Sequence, residues 1–208
     1  MRANEKLVAS DGFEVMLFPL PYMYISQGEN GQYSHRGTLN IDFLGWGENG
    51  RVYTAPMYAP CSCKCVAEID VNNHGRIFES LNKVHTPDGL KYVTFMFFHD
   101  DFPIATVGDT FSQGDLIGHT GTAGNVTGDH THFNTAYGTY AGWENVPPDN
   151  NGELVNSSHI YETCYVNDTV IIEGENYNWV IYNGSLYKNI QSNFKWVLYS
   201  NKFRKGKR

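Results

Sequence analysis

Turn-forming residues interrupt this chain so often that no helical period is established anywhere in it, and that punctuation restricts the fold more than any other feature. Strand-like runs at 52–58, 61–71, 77–81 and 91–99 are separated by turns such as Asn72-Asn73-His74-Gly75 and Thr86-Pro87-Asp88-Gly89. Residues 13–26 read as extended structure, and Pro19 and Pro21 suit an edge because proline donates no ladder hydrogen bond. The pattern predicts an all-β domain built on an antiparallel sheet. At 208 residues the chain can bury a sizeable core.

Within that frame, chemistry-bearing residues fall at informative places. In His130-Thr131-His132 the two imidazoles leave a strand on one face, so both can share a metal, or one can bind it while the other moves a proton. The second arrangement is the working expectation. The pair is entered from residues 107–128, whose glycines at 108, 114, 118, 121, 124 and 128 let backbone approach a ligand closely. Upstream, Leu39, Ile41 and Phe43 alternate with Asn40 and Asp42, which predicts a strand with an apolar face and a carboxylate on the other. His35 precedes Asp42 by seven residues, so a turn at Gly37 must intervene for both to meet one metal. His99 ends the run from residue 92 and is expected on the face of Val93, Phe95 and Phe97.

His35, Asp42, His99, His130 and His132, in this order and with the glycine-rich run between them, resemble the lysostaphin-type zinc endopeptidases of bacteria and phages, which cut peptide bonds in peptidoglycan. The matching stretch covers roughly residues 20–140. The resemblance implies zinc held by His35, Asp42 and His132, with His99 and His130 as the catalytic pair. Six residues separate His35 from Asp42 where many cellular members have three, and the longer spacing resembles members from phages. No His-Glu-x-x-His helix is present, which removes the thermolysin arrangement.

Composition sets limits on partners. The formal charge of −7 argues against nucleic acid. Five of the 15 basic residues lie in the tail 202–208; the rest of the chain holds ten against 22 acidic residues. No stretch is long enough to span a membrane and the first thirty residues do not read as a signal peptide, so action on a bacterial wall is expected from a virion component or a protein released at lysis. Cys61, Cys63, Cys65 and Cys164 are expected as buried thiols, since the Cys-x-Cys spacing is too tight for the usual zinc ligand pairs.

The segment 141–158, with Pro147-Pro148, reads as an irregular exposed loop. Beyond it, residues 176–182 and 193–199 repeat the pattern Asn, aromatic, any, Trp, Val, aliphatic, Tyr. The expected division is a peptidase domain at 1–160 and a β-rich extension at 161–208. The expected function is zinc-dependent hydrolysis of peptidoglycan cross-links. The alternatives are a metal-free wall-binding or phage tail component of the same fold, and a zinc carboxypeptidase trimming stem peptides.

Overall fold

The computed structural model describes residues 1–167 and 169–172; the aromatic repeat and the basic tail lie outside the described residues. A nine-stranded sheet organises the chain, made of β1 (Tyr22–Gln27), β2 (Ile41–Leu44), β3 (Cys63–Ile69), β4 (Gly75–Ser80), β5 (Val93–Phe98), β6 (Thr110–Phe111), β7 (Thr131–Tyr137), β8 (Ser157–Ser158) and β9 (Val170–Ile171). Their spatial order is β6-β3-β4-β5-β7-β2-β1-β9, with β8 also pairing β7. Every pairing is antiparallel except β1 with β9, which is parallel. The fold is therefore all-β, and Ile160–Thr163 is the one α-helix among the described residues.

β5 explains how the sheet is held. All six of its residues are buried, and the strand lies between β4 and β7, which is why apolar residues, interrupted only by Thr94, occupy both of its faces. Val93, Phe95 and Phe97 join the main core with Phe18, Phe43, Phe78 and Phe133. Met96 and Phe98 enter a smaller cluster on the opposite face, with Ile77, Ala136 and Leu154. In the main core Phe97 stacks on Phe133 at 4.9 Å and Phe78 on Phe95 at 5.3 Å. Each such ring contributes about 2 kcal/mol by leaving water.

Strand parity then decides where polar groups go. Ile41, Phe43 and Phe133 point into the main core, so Asp42 and His132 point to the other face. The ladder is shorter than the alternation predicts: β2 begins at Ile41, and Gly37, with φ of +82°, turns the chain between His35 and Asp42. Thr38 N–H closes that turn on the His35 carbonyl at 3.0 Å.

Two expectations are corrected. Residues 141–158 are not an irregular loop: Trp143–Val146 and Asn151–Leu154 form a hairpin, and Gly152, Glu153 and Leu154 are buried. Its register comes from tertiary anchors rather than an alternating apolar pattern. Leu154 N–H donates to Asn134 Oδ1 at 3.1 Å, Leu39 N–H to Glu153 Oε1 at 2.6 Å and Asn151 Nδ2 to the Ser34 carbonyl at 2.7 Å. His99 does not extend the apolar face of β5 either. The strand ends at Phe98, and His99 takes a left-handed φ of +78° that releases its ring from strand parity. A non-glycine residue held there stores about 1 kcal/mol or more.

Candidate metal centre

His35, Asp42, His99, His130 and His132 come together in one groove of about 690 Å³, which also has Gln27, Arg51, Asp70 and Asn73 on its walls. Asp42 stands at the middle. Its Oδ1 lies 3.3 Å from His35 Nε2, 3.1 Å from His132 Nδ1 and 3.8 Å from His130 Nε2. The rings of His35 and His132 are 5.0 Å apart, those of His99 and His130 4.6 Å, and those of His99 and His132 6.2 Å.

The outward nitrogen of each imidazole meets a backbone carbonyl: His35 Nδ1 faces Gly28 at 3.2 Å, His99 Nδ1 faces Ala123 at 2.8 Å, His130 Nδ1 faces Gly128 at 2.8 Å and His132 Nε2 faces Gly152 at 3.2 Å. A carbonyl can only accept, so each of these nitrogens carries the proton. In the neutral rings the other nitrogen is then a bare lone pair, and those of His35, His130 and His132 converge on the Asp42 carboxylate. Acceptors packed against an acceptor repel one another unless a cation sits among them. His35 Nε2 is buried without a hydrogen-bond partner, which identifies where that conflict is sharpest.

The donor set fits a zinc ion. Two imidazoles and one carboxylate, with both rings oriented from behind by carbonyls, are ligands that zinc takes in catalytic sites. Among the described residues, His35, Asp42 and His132 are the group whose potential ligand atoms all lie within 4.8 Å of one another. Burial alone would raise the Asp42 carboxyl; positive charge on the surrounding imidazoles, His35 foremost, would hold it well below the usual carboxylate range, and with lone pairs facing it a cation would have to supply that charge instead. With that charge in place it is ionised at neutral pH. Burial, reinforced by His130 and His132, pushes His99 down to about 3, and burial lowers His132 against the pull of Asp42. Both rings stay neutral, with lone pairs available.

The glycine-rich run places the second histidine pair. Gly121 bridges to His130 through two backbone hydrogen bonds of 3.0 Å. A Cβ on Gly121 would lie 2.2 Å from the His99 carbonyl oxygen, so only glycine lets this loop pass between the two segments. The same loop presents the Ala123 carbonyl to His99. Asp129, immediately before the pair, is buried and anchors the entrance to β7, accepting from Thr120 Oγ1 at 2.7 Å and from Thr54 N–H at 2.8 Å.

Several groups at the site escape a reading by motif. The Gly28 and Gly152 carbonyls leave no signal, because every residue carries one. Asp129 had only its place next to His130 to mark it. Gln27 did leave a signal, since it continues the parity of the buried Met23 and Ile25 yet is polar. The four cysteines are free and buried, as expected; burial pushes Cys65 up to about 11 and Cys164 up to about 12, so the thiols act as small apolar groups.

No protein-family model matches the chain. Morphogenesis protein 1 of Bacillus phage B103 is 38% identical over 173 residues, which cover 82% of this chain and 45% of that protein. The chain thus spans less than half the length of this curated relative. Among solved structures, a zinc containing peptidase from Vibrio cholerae is similar with a TM-score of 0.44 and 19% identity, over 64% of this chain and 43% of that one. The catalytic domain of the prophage-encoded M23 protein EnpA from Enterococcus faecalis has a TM-score of 0.44 and 16% identity, over 62% of this chain and 90% of its own. The catalytic domain of lysostaphin from Staphylococcus simulans has a TM-score of 0.38 and 20% identity, over 57% of this chain and 80% of its own.

Proposed function

We propose that this chain is a lysostaphin-type zinc endopeptidase that hydrolyses peptide cross-links of bacterial peptidoglycan, and that it serves a phage. The observation that carries the reading is the convergence of His35, Asp42 and His132 as a buried set of lone pairs beside His99 and His130, inside a groove with room for a peptide. The order of these residues matches the family pattern, and the six-residue gap between His35 and Asp42 resembles that of members from phages. The similarity to a phage protein named for morphogenesis favours a virion role over one confined to lysis.

His35, Asp42 and His132 would hold the zinc, which when bound supplies a Lewis acid for the scissile carbonyl and lowers the pKa of a bound water toward about 7. His99 and His130 supply the rest. Each has its outward nitrogen pinned to a carbonyl, so its Nε2 is presented at a set orientation. One accepts the proton of the attacking water on its bare Nε2 and passes it to the leaving amine, while the other steadies the developing oxyanion when its Nε2 is also protonated and can donate. Two groups of this kind account for about a hundredfold or more of rate each.

The test is digestion of purified peptidoglycan of several cross-link types, with mass analysis of the fragments. New amino and carboxyl ends at one peptide bond of the cross-link, lost on chelation and restored by zinc, are expected. Unchanged muropeptides from every wall type, despite a full equivalent of zinc, would leave a wall-binding component instead. Release of only the terminal residue of stem peptides would indicate a carboxypeptidase.

A further inference from the structure

We infer that Gln27 is the positioning residue of the metal centre, tying Asp42 and the loop of His35 into one preorganised unit. This rests on the reading of His35, Asp42 and His132 as zinc ligands, and it concerns a side chain on the groove wall that bonds to Asp42 without being one of them.

The position of Gln27 is produced by a break in strand geometry. On β1, Met23 and Ile25 point into the main core, and by parity Gln27 would follow them. Instead the pairing with β2 shifts between Ile25 and Gln27, so that Ile25 opposes Phe43 while Gln27 opposes Asp42. A bulge of this kind turns every later side chain to the other face. The Gln27 amide thereby reaches the metal-site side of the sheet, where it is 95% buried.

Its hydrogen bonds use the whole amide. Nε2 donates to Asp42 Oδ2 at 3.1 Å and to Ser34 Oγ at 2.8 Å, while Oε1 accepts from Ser34 N–H at 3.0 Å. The reversed amide would point its oxygen at the carboxylate and its NH2 at an N–H donor, so the arrangement has one orientation. Two consequences follow. Holding Oδ2 leaves Oδ1 as the oxygen facing His35, His130 and His132, which favours ligation through a single oxygen. Gripping Ser34 on both its backbone and side chain holds the residue before His35, and the next residue, Gly28, presents the carbonyl that orients the His35 ring. One amide therefore sets the separation of two ligands from different segments, and groups placed in this way typically govern 10–100-fold of metal affinity.

The experiment measures zinc affinity by chelator competition on the full chain, alongside the thermal stability of the metal-free protein. Gln27→Met keeps length and apolar volume but removes the amide. It should retain one zinc and bind it about 10–100-fold more weakly, while the metal-free protein still unfolds cooperatively at a lowered melting temperature because Ser34 and Asp42 lose a buried partner. Affinity within twofold of wild type would overturn the inference. Ser34→Ala, at a half-buried position, frees one Gln27 N–H without touching the core. It should weaken zinc a few-fold, and it carries the test if Gln27→Met does not fold; unchanged affinity in Ser34→Ala would then overturn the inference. Wild-type protein that binds no stoichiometric zinc would overturn the metal-centre reading itself, and the role of Gln27 with it.

Discussion

Asp42 and His132 are directly opposed residues of neighbouring antiparallel strands, 90 positions apart in the chain, with Oδ1 and Nδ1 3.1 Å from each other. Their shared register is held by Phe43 and Phe133 on the other face of the same two strands, so the packing of the main core and the geometry of the site are one constraint.

Because the lone pairs of His35, Asp42 and His132 converge, the protein as purified should carry one zinc per chain by elemental analysis. His132→Ala should lose it. Cys63→Ala, in the buried thiol cluster, should keep it. A variant pair behaving the opposite way would move the metal to the cysteines.

His99→Ala and His130→Ala should each retain zinc and lose about a hundredfold or more of turnover on cross-linked peptide. His74→Ala and His85→Ala, whose rings engage the Asp100 carbonyl and the Asp11 carboxylate, are the controls and should stay near wild type. A His99 variant with normal turnover would make that residue a packing element at the end of β5.

Asp129 receives Thr120 Oγ1 and Thr54 N–H and pairs with Arg51, all at the point where the chain enters β7. Asp129→Ala leaves these donors without an acceptor and should cost about 3 kcal/mol of stability. Denaturant unfolding measures this directly, and a loss below about 1 kcal/mol would show that water takes over the role.

A pH dependence separate from the candidate metal centre comes from Glu29 and His159, whose Oε2 and Nδ1 are 2.8 Å apart. Burial alone would lower His159, but the Glu29 carboxylate outweighs it and the imidazole lies above its ordinary value of 6.5. A histidine raised in the folded state contributes stability that is complete below the unfolded pKa and lost as the pH climbs through the folded one. Melting temperature should therefore fall as the pH rises above about 6.5 more steeply for wild type than for His159→Gln. Equal slopes would remove the pair from the account.

Much of the site was legible from residue order alone. The i, i+2 spacing placed His130 and His132 on one side of the sheet, the alternation around Asp42 exposed its carboxylate away from the core, and the need for a turn at Gly37 was met by that glycine's positive φ. His99 was identified by position but its direction was not, since a left-handed backbone at a histidine has no sequence signature when glycine or asparagine is the usual occupant. The hairpin at Trp143–Val146 and Asn151–Leu154 was read as loop because its register depends on Asn134, Leu39 and Ser34, all distant in sequence.

By itself the sequence determined the all-β architecture and the residue types that gather at the candidate site, because strand period and donor type are properties of side chains. Tertiary structure alone decided which nitrogen of each imidazole is bare and which oxygen of Asp42 faces them. Those choices are made by the carbonyls of Gly28, Ala123, Gly128 and Gly152 and by a bulge that turns Gln27 across the sheet. Backbone groups are the same at every residue, so they acquire meaning only when the folded chain aims them at a particular ring.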